Sequence, residues 1–76
     1  MDAWSENEVR KAAQDDFRGT LYPEYVCMSG VMLAAKKIKQ EKGIAAEEGA
    51  IAEIYRDFVV CHLGVPILVD CVLAAP

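Results

Sequence analysis

The residues with the greatest chemical potential lie in the last third of the chain. His62 is the only histidine, Cys61 precedes it, and Asp70 and Cys71 follow eight and nine residues later. A Cys–His–Asp set of this kind can activate a thiol nucleophile if the chain folds back on itself. However, neighbouring residues on a helix point about 100° apart, and no glycine loop for an oxyanion accompanies the set. We therefore predict that the protein is not an enzyme.

Zinc is the second chemistry that these residue types suggest. Cys27, Cys61, His62 and Cys71 are four side chains of the kinds that bind zinc, but they form neither a C-x-x-C nor an H-x₃₋₅-H pair. All three cysteines lie in apolar runs, where a free cysteine behaves as a small hydrophobic residue. We expect free structural thiols and no metal or cofactor. A thiol or metal site at Cys61, His62 and Cys71 remains an alternative.

The helix that must carry Cys61 and His62 is the clearest element in the sequence. Large apolar residues recur at intervals of three, four and seven, which is the pattern of one buried helix face: Ile44, Ile51, Ile54, Tyr55, Phe58 and Val59. Glu47 and Glu48 occupy the first turn, where negative charge suits the helix dipole. Gly64 is typical of a residue that ends a helix. The pattern predicts a helix over about 45–63.

Three further elements are predicted around this helix. Residues 5–18 form a helix that begins with a capping box of Ser5 and Glu8, with Trp4 packed on Val9. Residues 23–42 form a helix, with a proline at its first position and a glycine after its end. The apolar residues 66–74 suit a short helix, and a strand is the alternative. The fold class is therefore all-α, a small bundle of three to four helices in a single domain over 1–76.

Composition indicates what the protein binds. The chain has 76 residues, of which 54% are hydrophobic, and a formal net charge of −4. So small a domain buries a limited share of its surface, and apolar surface left over is buried against a partner. The acidic balance argues against direct nucleic-acid binding, and Gly64 and Pro66 interrupt the one run of near membrane-spanning length. Because the cysteine number is odd and MDAWSENEVRK lacks an apolar signal sequence, we expect a cytoplasmic protein without a membrane span.

These features favour a non-enzymatic protein–protein interaction module: a small regulator, inhibitor or accessory subunit that binds a larger protein or itself as a homodimer. The predicted partner-binding residues lie on the central helix: Glu47, Glu48, Glu53, Asp57, Tyr55 and Phe58. An alternative is an acidic mimic, such as a phage-encoded inhibitor of the anti-CRISPR type, that binds the basic groove of a nucleic-acid-processing complex. Its acidic residues are Glu6, Asp15, Asp16, Glu47, Glu48, Glu53 and Asp57.

Overall fold

Three helices build the fold. The computed structural model describes residues 6–18 and 22–69. Along the chain these residues form α1 (Glu6–Asp16), β1 (Val26–Cys27), α2 (Met28–Lys42), α3 (Glu48–Cys61) and β2 (Ile67–Leu68). The two strands pair in parallel, Val26 with Ile67 and Cys27 with Leu68. The predicted all-α class is confirmed, with this short sheet as an addition.

The core is centred on α3, which packs against both α1 and α2. Its buried face consists of Ile51, Ala52, Tyr55 and Val59, as the spacing of its apolar residues predicts. The other helices contribute smaller faces to the same cluster: Val9 and Ala13 from α1, and Val31, Ala35 and Ile38 from α2. The third helix is therefore the centre of the core, in contact with both other helices.

The turn between α2 and α3 brings α3 back against α2. Gly43 has a φ of 64°, and its amide donates to the carbonyl of Lys39, which also accepts from the Ile44 amide at 3.2 Å. Glycine adopts this left-handed conformation without the steric cost of a Cβ atom. The Lys39 ammonium then donates to the carbonyl of Ala46 at 2.5 Å. The predicted helix end at Gly43 is confirmed, and Lys39 ties the two helix ends together.

The second helix begins five residues later than predicted, at Met28 rather than at Pro23. Val26 and Cys27 are extended instead, and the Val26 amide donates to the carbonyl of Pro66 at 2.9 Å. This pairing partner lies forty residues along the chain. A contact between residues so far apart in sequence cannot be predicted from local periodicity. The helix was therefore predicted to begin at Pro23, where a proline suits the first helical position.

The apolar C-terminal element contains a two-residue strand, Ile67–Leu68, in the part that the structure describes. Gly64 turns the chain with a φ of 73°, and the buried Val65 donates its amide to the carbonyl of Val59. Ile67 and Leu68 then pair with β1. The preferred helix over 66–74 is therefore wrong for 66–69, and the alternative, a strand, is found at Ile67–Leu68. Residues 70–74 lie outside the described residues, as do Trp4 and Ser5 of the predicted capping box.

Candidate interaction surface

Two of the residues that suggested catalysis, Cys61 and His62, lie at the end of α3. Cys61 and His62 are both exposed, and the His62 ring stacks on the Phe58 ring with centroids 4.7 Å apart and planes 11° from parallel. Within 6–18 and 22–69, no group of three or more His, Cys, Asp or Glu side chains could hold a metal ion. Asp70 and Cys71 lie outside those ranges. The stacking gives His62 a packing role beside Phe58.

The cysteines differ from the expectation of free structural thiols. Cys27, in β1, is disulfide-bonded, whereas Cys61 is free and exposed on α3. Sequence spacing does not reveal a disulfide, because connectivity depends on which sulfurs the fold brings together. Disulfides persist in oxidising compartments. The cysteines therefore no longer support the expectation of a reducing compartment.

The acidic residues predicted on the central helix fall into two groups. Glu47 is exposed just before α3 and Glu48 is half-buried in its first turn. Glu53 and Asp57 are exposed and four residues apart, so they lie on one face of the helix. Val60, three residues further, continues that face and is 43% exposed. We call Glu53, Asp57 and Val60 the α3 strip.

The aromatic residues predicted beside these acids lie elsewhere. Tyr55 is 4% exposed, and its hydroxyl donates to Oδ2 of Asp16 on α1 at 2.5 Å. Burial, together with the hydrogen bond to Asp16 and its negative charge, raises the pKa of Tyr55 well above its usual range. Phe58 is half-buried against the core. Tyr55 thus joins α1 to α3 and does not contribute to the α3 strip.

The largest outward-facing apolar side chain of the helices is on α2. Leu33 is 68% exposed and its neighbour Met32 is 38% exposed. Lys36 and Lys37 are exposed three and four residues after Leu33, which places them on the same side of the helix. We call Met32, Leu33, Lys36 and Lys37 the α2 strip. It combines an apolar centre with a positively charged edge.

The two strips carry opposite charges that the fold leaves available. Within the described ranges, Lys36 and Lys37 have no ion-pair partner, and Glu53 has none either. Asp57 has a long contact, 3.9 Å, with the adjacent Arg56. Charges without local partners keep most of their attraction for a charge on another molecule. The α2 strip is therefore basic and the α3 strip is acidic.

Sequence reasoning missed the α2 strip. From the sequence, residues 24–35 are apolar nearly all round, and this half of α2 was therefore predicted to be central to the core. In the structure that segment buries Val31 and Ala35 and exposes Met32 and Leu33. The signal was present, since Lys36 and Lys37 follow Leu33 at helical spacing. Interpreting this spacing as a surface required knowing that only one narrow side of α2 faces the core.

A second group of exposed apolar side chains lies by the sheet. Tyr22, Tyr25, Leu68 and Val69 are each at least 42% exposed. Tyr22 also meets Phe17 edge to face, with ring centroids 6.2 Å apart. Its charged neighbour is the exposed Glu24, between Tyr22 and Tyr25, and residues 70–76 continue the chain directly from Val69. The α2 strip therefore has the better-defined recognition chemistry.

Comparison with known proteins identifies no relative: no family model, no curated protein and no solved structure matches this chain. In the described part of the chain, no helix has the length and apolar character needed to cross a membrane. The chemistry of the surface is accordingly the basis on which a function can be proposed.

Proposed function

We propose that this chain is a non-enzymatic interaction module that binds a protein through the α2 strip. The observation that carries the proposal is Leu33, 68% exposed between a methionine and two lysines on one helix face. Burial of an exposed leucine of this size is worth about 2 kcal/mol. Such a residue stabilises a complex when a partner removes it from water.

The lysines define the chemistry of the partner. Lys36 and Lys37 lie beside Leu33 and have no ion-pair partner among the described residues. The surface that fits them has an apolar pocket for Leu33 with carboxylates at its edge. Apolar burial supplies most of the affinity, whereas the charges set orientation and the association rate.

A binding experiment with matched variants tests this proposal. Leu33→Asp places a charge at the centre of the α2 strip, and Gln40→Ser changes an exposed residue on the same side of α2, two turns away. Proteins captured by the wild-type chain and by Gln40→Ser but lost with Leu33→Asp are the expected partners. Titration of one purified partner then measures the change in Kd, and circular dichroism checks that both variants fold.

The expected result is at least a tenfold increase in Kd for Leu33→Asp, corresponding to about 1.4 kcal/mol or more. Binding unaffected by Leu33→Asp would refute the α2 strip as the interface. So would the absence of both a protein partner and self-association in the wild-type chain.

A second function, the acidic mimic, is favoured by the exposure of Glu53 and Asp57 on one face of α3. In that case the partner is a basic groove and the α3 strip is the contact. Screening shortens the reach of charges to about 10 Å at about 0.1 M salt, so such binding should weaken steeply as salt is raised. Glu53→Gln with Asp57→Asn should abolish it, whereas Leu33→Asp should leave it intact.

A further inference from the structure

We infer that residues 66–69 form a strap, held against β1 by a disulfide between Cys27 and Cys71, and that reduction of this bond releases the strap. Cys27 is disulfide-bonded and Cys61 is free, and the chain has three cysteines in all. A bond within one chain therefore joins Cys27 to Cys71. The strap already lies beside Cys27, because Leu68 pairs with Cys27 in the sheet. The inference is independent of the α2 strip.

The strap is weakly attached to β1 apart from the disulfide. The two strands share two residue pairs, and the Val26 amide donates to the Pro66 carbonyl at 2.9 Å. An isolated two-stranded hairpin is marginally stable at best in water, and these strands are only two residues long. Leu68 is 42% exposed and Val69 is 85% exposed, so both bury little apolar surface. The disulfide is therefore the strongest link between the strap and β1.

The buried core does not include the strap. Eleven hydrophobic side chains are buried in the described ranges, and none of them lies in residues 66–69. The last of the eleven along the chain is Val65, which is 2% exposed and donates its amide to the carbonyl of Val59 on α3 at 3.1 Å. Ile67 packs against the core but is only half-buried. Release therefore stops at Val65, which stays anchored to α3 when the strap leaves.

Release of the strap changes the surface beside β1. The Val26 amide loses its acceptor, and the half-buried side chains of Val26 and Ile67 become more exposed. Tyr25 precedes Val26 and is already 49% exposed, so the new apolar area is continuous with an existing one. The reduced protein therefore presents a vacant strand edge and a larger apolar surface than the oxidised protein does.

Reduction requires two electrons and two protons, which a dithiol supplies. One thiolate of the dithiol attacks a sulfur of the protein disulfide, so that a mixed disulfide forms and the other cysteine leaves as a thiolate and takes up a proton. The second thiolate of the dithiol then displaces the remaining cysteine and closes the reagent into a cyclic disulfide. The protein gains two thiols, and the reagent is oxidised by the same two electrons.

Hydrogen exchange measured by NMR tests the release, because it reports local opening at single amides. The ¹⁵N-labelled protein is measured in the oxidised state and after reduction with dithiothreitol. We expect the Val26 amide to exchange at least tenfold faster after reduction. The amides of Tyr55 and Val59, inside α3, should remain at least tenfold slower than those of an unstructured chain. Equal exchange at Val26 in both states would overturn the inference, as would loss of protection at Tyr55 and Val59.

Two serine variants separate the bond from other effects of the reagent. Cys71→Ser lacks the bond but leaves the residues around Val26 unchanged, so its Val26 amide should exchange rapidly without any reductant. Cys61→Ser is the matched control, since Cys61 is free, and it should respond to dithiothreitol as the wild type does. A Cys71→Ser protein that does not fold would also overturn the inference, because the core would then depend on the bond.

Peptide mapping identifies the two bonded cysteines. Trypsin cleaves after Arg18, Lys36 and Arg56, so unreduced Cys61→Ser should yield peptide 19–36 joined to peptide 57–76. In this variant each of the two peptides contains a single cysteine, Cys27 in the first and Cys71 in the second. Peptide 19–36 joined to a second copy of itself would place the bond between chains and contradict the inference.

Discussion

The hydroxyl of Tyr55 donates a 2.5 Å hydrogen bond to the carboxylate of Asp16, and it thereby joins the middle of α3 to the last residue of α1. The two residues are 39 positions apart in sequence. This is the one side-chain hydrogen bond between helices in the described ranges. Because α1 otherwise contributes only a small buried face, Val9 and Ala13, the bond is expected to matter for its docking.

Tyr55→Phe should lower the free energy of unfolding by about 1 kcal/mol. Hydrogen bonds to charged groups contribute about 1.5–3 kcal/mol, and the solvent-exposed Asp16 recovers part of this by hydration once the hydroxyl is removed. Urea unfolding monitored by circular dichroism measures the change. Tyr22→Phe is the control, because Tyr22 is half-exposed and keeps its ring contact with Phe17. Equal stability of Tyr55→Phe and the wild type would show that α1 docks without this bond.

The same bond predicts a loss of stability at high pH. The pKa of Tyr55 is raised in the folded state above its usual value of 10.0, by burial first and then by Asp16. Below pH 10 both folded and unfolded chains keep the proton, so the contribution is fully present. As the pH rises above 10, the unfolded chain releases this proton before the folded one does, and stability falls.

The wild type should therefore lose its advantage over Tyr55→Phe as the pH rises from about 10 to about 12. Thermal unfolding of the two proteins at matched pH values measures the difference in Tm. Comparison with Tyr55→Phe cancels the titration of the exposed tyrosines and the lysines, which both proteins share. A difference that stays constant across this range would contradict a raised pKa at Tyr55.

Gly43 and Gly49 should respond in opposite ways to alanine. Gly43 has a φ of 64°, a conformation that costs an L-residue about 1–2 kcal/mol, so Gly43→Ala should destabilise by about 1 kcal/mol. Gly49 lies within α3, and an added Cβ there meets nothing within 4 Å. Gly49→Ala should stabilise by up to about 1 kcal/mol, as alanine exceeds glycine in helix propensity. Chemical denaturation measures the change in the free energy of unfolding for each variant. If both variants were stabilised, or both destabilised, one of these two predictions would be wrong.

The accuracy of sequence reasoning here depended on the distance between interacting residues. Ile51, Tyr55 and Val59 follow one another at helical spacing, and Gly43 ends its helix through bonds to Lys39, so local patterns identified both. The strand pairing of Val26 with Ile67 is long-range, and the second helix and the C-terminal element were mispredicted for that reason. Local spacing alone does not predict which residues, forty positions apart in sequence, lie in contact.

Only part of the candidate surface was predicted, because the rest also depends on contacts between residues far apart in sequence. Glu53 and Asp57 stand opposite the apolar face of α3, and their exposure follows from periodicity. Tyr55 belongs to the apolar face and is buried there, with a partner on α1 that periodicity does not reveal. The α2 strip required the position of α2 relative to α3, because Leu33 and Val31 are equally apolar and differ only in the side of the helix they occupy.

The disulfide at Cys27 gives a prediction that can be tested by counting thiols. The chain has three cysteines, Cys27 is disulfide-bonded and Cys61 is free. Because a disulfide holds two sulfurs, the denatured protein should present one reactive thiol before reduction and three after it. Cys61→Ser should reduce these numbers to none and two. Three thiols in the unreduced protein would contradict the bond.

Reduction should also destabilise the fold, by about 2–4 kcal/mol if the bond restricts the unfolded chain as disulfides generally do. Unfolding in urea with and without a reductant measures this difference. Cys61→Ser should show the full effect of reduction, since Cys61 is free. Cys27→Ser, which cannot form the bond, should be insensitive to the reductant and as unstable as the reduced wild type. A reductant effect that survives in Cys27→Ser would place its origin elsewhere in the chain.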